Sequence, residues 1–173
     1  LTLSVYLLGF GAGQLIVGPF ADRFGRRPVL LWSMLVFVLA SVACALAQSI
    51  EALIAARFLQ ALGACGGPVL ARAVVRDLYG PKDAGRVLSH VATGTALAPL
   101  LAPLLGGLLT AHFGWRSSFV VLTVYSIVLL VVIARQLQET NRHLDPHAMH
   151  PLRMLSNYRT LLADRVYRGA PLT

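Results

Sequence analysis

Charged residues cut the chain into long uncharged stretches instead of marking one face of each element. Leu1 to Ala21, Pro28 to Ala47, Val87 to Ala111 and Ser117 to Ala134 contain no Asp, Glu, Lys or Arg, and Ala52 to Val75 contains only Arg57 and Arg72. A helix crossing a hydrocarbon core about 30 Å thick needs about 20 apolar residues, and each stretch comes close to that length. Segments of about 10 residues with alternating polarity, the mark of a membrane β-barrel, are not visible. The pattern therefore predicts an all-α integral membrane protein with transmembrane helices at 1–21, 28–47, 52–75, 87–111 and 117–134. Residues 135–168 read as a basic loop, in which Pro151 opens a surface helix with Leu152, Leu155, Leu162 and Val166 on one side. Residues 169–173 read as the start of another span or as a tail.

Composition agrees with this pattern and removes the alternatives. Apolar residues make up 57% and charged residues 13%, about half the usual share of a soluble domain, which leaves too few charges to cover a water-exposed surface. Cys44 and Cys65 lie inside apolar stretches, form no metal or disulfide framework, and read as small hydrophobes. The net charge of +8 is a matter of topology. Alternate connections carry Arg23, Arg26, Arg27, Arg76, Lys82, Arg86, Arg135, Arg142, Arg153, Arg159, Arg165 and Arg168 on one side and only Arg116 on the other, which places the first side in the cytoplasm. Arg72 snorkels to the same surface, leaving Arg57 as the single basic residue committed to the membrane interior. Aromatic residues such as Tyr6, Phe10, Trp32, Phe37, Phe119 and Tyr125 sit inside uncharged apolar runs instead of forming basic stripes interleaved with aromatics, so no nucleic-acid partner is expected. Leu1 then starts on the outer face with no basic region ahead of it, which implies a missing span before it and a total of six for this part of the protein.

Three stretches carry chemistry. Gly18-Pro19-Phe20-Ala21-Asp22-Arg23-Phe24-Gly25-Arg26-Arg27-Pro28 forms a short cytoplasmic turn between the first two spans, with Gly25 able to take a positive φ and Pro28 suited to a first helical turn. Asp22 falls at the negative end of a helix dipole and needs a partner, either Arg26 one turn away or a helix N-terminus elsewhere in the protein. In Arg57-Phe58-Leu59-Gln60, the arginine lies about 8 Å into a helix beginning near Ala52. It either snorkels outward or faces a polar cavity, and Gln60, three residues on, favours the cavity. Beyond it, Gly63, Gly66 and Gly67 permit close helix packing, and Asp77 reaches the surface that bears Asp22 and Arg26. In the fourth span, Gly94, Ala98, Ala102 and Gly106 form a stripe of small residues, while Pro99 and Pro103 remove helix hydrogen bonds and bend it.

These stretches resemble, in order, three motifs of the major facilitator superfamily. Gly18, Ala21, Asp22, Arg23, Gly25, Arg26 and Arg27 match the signature of the loop between family helices two and three, with Phe20 where leucine is usual. The resemblance implies that Asp22 and Arg26 belong to a cytoplasmic gate network that latches the two halves in the outward-open state. Arg23, Arg27 and Asp77 join this network, Asp77 as a partner of Arg26. Arg57 and Gln60 are similar to the fourth-helix motif Arg-x-x-Gln-Gly, with Ala61 as the departure, and the resemblance implies a role in proton coupling. Ala98-Pro99-Leu100-Leu101-Ala102-Pro103-Leu104-Leu105-Gly106-Gly107 is similar to the fifth-helix antiporter motif, with Ala98 and Ala102 in place of glycines, and implies a hinge or packing helix between halves. With Gly114-Trp115-Arg116 and Glu139-Thr140 flanking the last span, the chain looks most like the bicyclomycin-resistance-type multidrug efflux branch.

The expectation is thus the N-terminal part of a major facilitator, family helices two to six with the central loop, in a bacterial inner membrane. It would export amphipathic compounds by proton antiport through alternating access. The alternatives are a proton-coupled importer and, from a different class, a membrane-embedded enzyme or scaffold. Expected partners are a small-molecule substrate, protons, the bilayer and the remaining helices of the same transporter. No cofactor or metal is implied. His143, Asp145, His147 and His150 cluster without a fixed geometry, His90 reads as an interfacial histidine, and Gly9, Gly11 and Gly13 read as packing and not as a nucleotide loop.

Overall fold

The computed structural model describes residues 2–141, so the expected surface helix, the histidine cluster and the residues from 142 onward lie outside the described residues. Among the described residues every regular element is helical: α1 (Thr2–Phe24), α2 (Arg26–Leu46), α3 (Ile50–Ala64), α4 (Gly66–Phe113) and α5 (Arg116–Gln136). Five stretches are long and apolar enough to cross a membrane: Thr2–Phe24, Arg26–Leu46, Ile50–Gly80, Asp83–Phe113 and Arg116–Gln136. The third comprises α3 and the first part of α4, joined through Cys65, and the fourth is the rest of α4.

The helix ends follow local chemistry. Ser49 caps α3, its hydroxyl accepting from Ala52 N–H at 3.1 Å, with Glu51 in the first turn at the favourable end of the dipole. The connection expected over 76–86 is helical on both sides of one break. Gly80 departs from helical geometry at φ 64° and ψ 179°, and Pro81, a residue type suited to start a helix, follows it. At the opposite end, Gly114 turns the chain at φ 80°. Arg116, the lone basic residue of that side, stacks on Trp115 at 4.4 Å and donates to the Ala47 carbonyl beyond α2 at 2.8 Å.

Helix α3 packs against α1 and α2, and α2 packs in turn against α5. The buried residues are mostly small: Ala21, Ala40, Ala47, Ala56, Ala61, Ala73, Ser41, Cys44 and Cys65, with Leu70 the largest fully buried side chain. Large apolar side chains such as Leu8, Trp32 and Leu100 point outward. This inverts the soluble pattern, because lipid tails solvate leucine as well as a core does and close backbone approach supplies the cohesion. Gly63 shows how close. A Cβ there would lie 2.8 Å from Phe37 Cα and 2.8 Å from the Ser33 carbonyl oxygen, both backbone atoms of α2. Gly66 meets the Ser33 side chain, while Gly9 and Gly13 of α1 meet Phe58, Ala61 and Cys65 of the third span. Gly67 and Gly11, expected to share this packing, meet nothing within 4 Å, because they lie off the contact faces.

Candidate functional site

The basic turn between α1 and α2 is drawn tight around a single non-helical residue of the signature, Gly25. Gly25 takes φ 99° and separates the two helices. Across it Asp22, in the last turn of α1, and Arg26, at the start of α2, meet at 2.7 Å. The same guanidinium reaches Asp77 of α4 through Nε at 3.3 Å, so Arg26 bridges two carboxylates from different spans. Thr140 donates its hydroxyl to Asp77 at 3.5 Å. Arg26 is largely covered, with its side chain 16% exposed, which reduces the solvent screening that weakens surface pairs. Arg27 turns away from the acids: its Nη2 donates to the Ala134 carbonyl in the last turn of α5 at 2.9 Å. Arg23 lies with its guanidinium carbon 5.2 Å from the Phe24 ring. Of the five residues expected here, the structure gathers Asp22, Arg26 and Asp77 into one cluster and gives Arg23 and Arg27 other contacts.

A further member of this turn escaped the sequence reading as a site residue. The Glu139 carboxylate accepts from the backbone N–H groups of Arg26 at 2.9 Å and Arg27 at 3.1 Å. Burial favours its protonated form, but the N–H donors of Asn141, Arg26, Arg27 and Thr140 outweigh that and hold the carboxyl below its ordinary value. Its position in the sequence shortly after an apolar span was visible, whereas its acceptor role depends on folding across 113 residues.

Toward the other end of the bundle, Arg57 and Gln60 share a face of α3 and are hydrogen-bonded, Nη1 donating to Oε1 at 2.7 Å. Gln60 passes its amide N–H to Ser41 Oγ of α2 at 2.7 Å, and Ser41 donates to the Phe37 carbonyl at 2.7 Å. Donor follows acceptor along this chain, so the orientation of every group is fixed by the guanidinium at its head. Gln60 and Ser41 are fully buried. The Arg57 guanidinium carbon lies 4.6 Å from the Tyr6 ring centroid and 5.5 Å from that of Phe119, within cation–π range of both. Polar bonds and two rings thus occupy a charge otherwise costly in the membrane interior. Ser41, Tyr6 and Phe119 are additions to the expected pair. An apolar groove of about 750 Å³ lies between α1, α2 and α3, bordered by Val17, Phe20, Trp32 and Leu62, and neither Arg57 nor Gln60 lines it.

The fourth span is laid open. Gly94, Ala98, Pro99, Ala102, Pro103 and Gly107 are exposed, and a Cβ added at Gly94, Gly106 or Gly107 would meet nothing within 4 Å. The small-residue stripe therefore has no partner among the described residues. The backbone stays helical through both prolines, and the one non-helical residue of α4 is Gly80. His90 is exposed as well, with Nδ1 2.8 Å from the Arg86 carbonyl of its own helix. Among the described residues no group of three or more His, Cys, Asp or Glu side chains is placed to hold a metal.

Five apolar helices of membrane length, joined by short turns and carrying a charge cluster at one end and a buried polar chain toward the other, define a multi-pass membrane protein. The profile described as the Major Facilitator Superfamily matches residues 1–171, and the chain belongs to that family of transporters, not to a family of enzymes. It is 40% identical to the MFS-type transporter YdgK of Bacillus subtilis, over 100% of this chain and 44% of that protein. It is 38% identical to multidrug resistance protein D of Escherichia coli, over 94% of this chain and 40% of that protein. The fold is similar to that of the human organic anion transporter MFSD10, with a TM-score of 0.72 and 23% identity over 88% of this chain and 35% of that one. The chain spans less than half the length of each of these proteins.

Proposed function

We propose that the chain is the N-terminal part of a transporter that exports drugs or other amphipathic small molecules in exchange for protons, by alternating access. The observation that carries this reading is Arg57, an intramembrane cation held at the head of a polar chain by Gln60 and flanked by Tyr6 and Phe119. Such a charge is retained at a cost, and its use is electrostatic: it biases the protonation of an acid elsewhere along the pathway. Similarity to multidrug resistance protein D supports the export of drugs.

The end bearing Asp22, Arg26 and Asp77 is the cytoplasmic one in this proposal, because the basic connections converge there. The cluster acts as part of a gate whose opposing surface belongs to the other half of the transporter. Gly94, Ala98, Pro99, Ala102, Pro103, Gly106 and Gly107 supply the packing surface or hinge of the fourth span toward that half, which fits a stripe with no partner within the described residues. The setting is the bacterial inner membrane.

The test is drug accumulation in everted vesicles containing the full-length transporter. Uptake of a fluorescent drug that requires a proton gradient acidic inside the vesicle, and that collapses on adding a protonophore, supports proton-coupled export. Uptake insensitive to the gradient rejects it.

A further inference from the structure

The first N–H groups of an α-helix have no acceptor inside the helix, and at α2 each is accounted for. Gly25 N–H is spent on the preceding helix, donating to the Ala21 carbonyl at 3.1 Å. Pro28 has none. Arg26 and Arg27 remain, and the residue in the capping position, Gly25, has no side chain to accept from them. The acceptor comes from beyond the fifth span. One oxygen of Glu139 takes Arg26 N–H and the other takes Arg27 N–H, at 2.9 and 3.1 Å. The turn is shaped around this carboxylate, since a Cβ at Gly25 would lie 2.6 Å from Glu139 Oε2.

Two neighbouring contacts make the arrangement reciprocal. Asn141 donates its side-chain amide to the carbonyls of Ala21 and Asp22 near the end of α1, each at 3.4 Å. Arg27 donates to the Ala134 carbonyl at the end of α5. Three helix termini thus supply one another's missing donors and acceptors. The guanidinium of Arg26 meets Asp22 and Asp77, while its backbone N–H meets Glu139, so a single residue is held by three acids through different groups.

We propose that Glu139 is a positioning residue of the gate: by capping α2 it fixes the first turn from which Arg26 reaches Asp22 and Asp77, and with Asn141 it fastens the segment leaving the fifth span to that turn. The proposal rests on the reading of Asp22, Arg26 and Asp77 as a gate. Glu139 acts here through backbone N–H groups and not as a salt-bridge partner of either arginine. A carboxylate at a helix N-terminus also meets the favourable end of the dipole, which strengthens the clasp.

The experiment uses the full-length transporter in nanodiscs, with amide hydrogen exchange resolved at Arg26 and Arg27 and with drug efflux measured in vesicles. Glu139→Ala is expected to speed exchange at these two amides by about tenfold or more, as loss of a charge-assisted bond implies, while amides in the middle of α2 keep their rates and efflux falls. Glu139→Gln, which keeps one carbonyl acceptor in nearly the same shape, is expected to lie between. Unchanged exchange at Arg26 and Arg27 in Glu139→Ala overturns the cap. Faster exchange along the whole of α2 also overturns it, since that reports a general loss of folding. Faster exchange confined to the turn with efflux at the wild-type level removes Glu139 from the gate. Asp22→Asn separates the two ideas: normal efflux in that variant sinks the gate reading, whereas the exchange rates at Arg26 and Arg27 still decide the cap.

Discussion

Ser41 of α2 accepts the amide N–H of Gln60 of α3 at 2.7 Å, and both side chains are fully buried. This is the one polar fastening seen between these two helices. Replacing Ser41 with Ala leaves the Gln60 donor without an acceptor, at a cost of about 1–3 kcal/mol. Cys44 and Cys65 are free and buried, so a thiol-reactive fluorophore reports unfolding directly. Ser41→Ala is expected to lower the midpoint of that signal on heating. An unchanged midpoint would show that Gln60 finds another acceptor.

Arg57→Ala is expected to abolish proton-driven drug efflux while leaving the protein in the membrane at normal abundance. Arg57→Lys is expected to recover it only in part, because an ammonium lacks the planar face that stacks on Tyr6 and Phe119. Vesicle efflux with quantification of membrane protein checks both, and wild-type efflux in Arg57→Ala removes the residue from the mechanism.

Charge reversal at Asp22 places like charges against Arg26 and is expected to slow transport about tenfold, the equivalent of about 1.4 kcal/mol at the barrier. Adding Arg26→Asp restores the pair with its signs exchanged but sets two acids together at Asp77, so recovery is expected to be partial. Initial rates for the wild type, the single and the double variants measure this. Full activity in the single variant argues against the gate.

Gly63 and Gly67 differ in what they face. Gly63→Ala pushes a methyl into the backbone of α2 and is expected to destabilise by about 1–3 kcal/mol, whereas Gly67→Ala, with open space around it, is expected to stay within about 0.5 kcal/mol. Thermal melts of the two variants side by side test the contrast.

The cap at Glu139 carries a defined pH dependence. Its carboxyl is held below its ordinary value of 4.5, so the unfolded chain binds the proton more tightly than the folded one. The stabilisation is fully present above 4.5 and is lost as pH falls through the lower, folded value. The difference in melting midpoint between wild type and Glu139→Gln is expected to be constant from neutral pH down to about 4.5, to shrink as pH falls from there through the lower, folded value, and to level off below it. A difference that shrinks between pH 8 and 6 contradicts the assignment.

Most of the architecture is legible in the chain because membrane spans announce themselves by length and lack of charge. The break at Gly80 was harder to place: residues 76–86 are polar enough to read as a loop, yet helical geometry persists almost throughout, since helical hydrogen bonds form whether or not the side chains are apolar. Within the turn, Asp22, Arg26 and Asp77 were identifiable by charge and spacing. Glu139 was not, because its function there is to accept backbone N–H groups, which leave no trace in side-chain identity. Ser41 had a faint signal. It lies two helical turns from Ser33, on the side of α2 that meets Gly63 and Gly66, but a serine in an apolar helix commonly bonds only to its own backbone, as Ser41 also does to Phe37.

The predominance of Ala, Gly, Ser and Cys in the buried contacts also bears on calorimetry. Separating helices that are held by close fit transfers side chains from protein to lipid and exposes little apolar surface to water. The positive heat-capacity change that bends the stability curve of a soluble domain arises from such exposure. For this bundle in a bilayer that change is expected to be small, so its stability varies nearly linearly with temperature and cooling brings no turn toward denaturation.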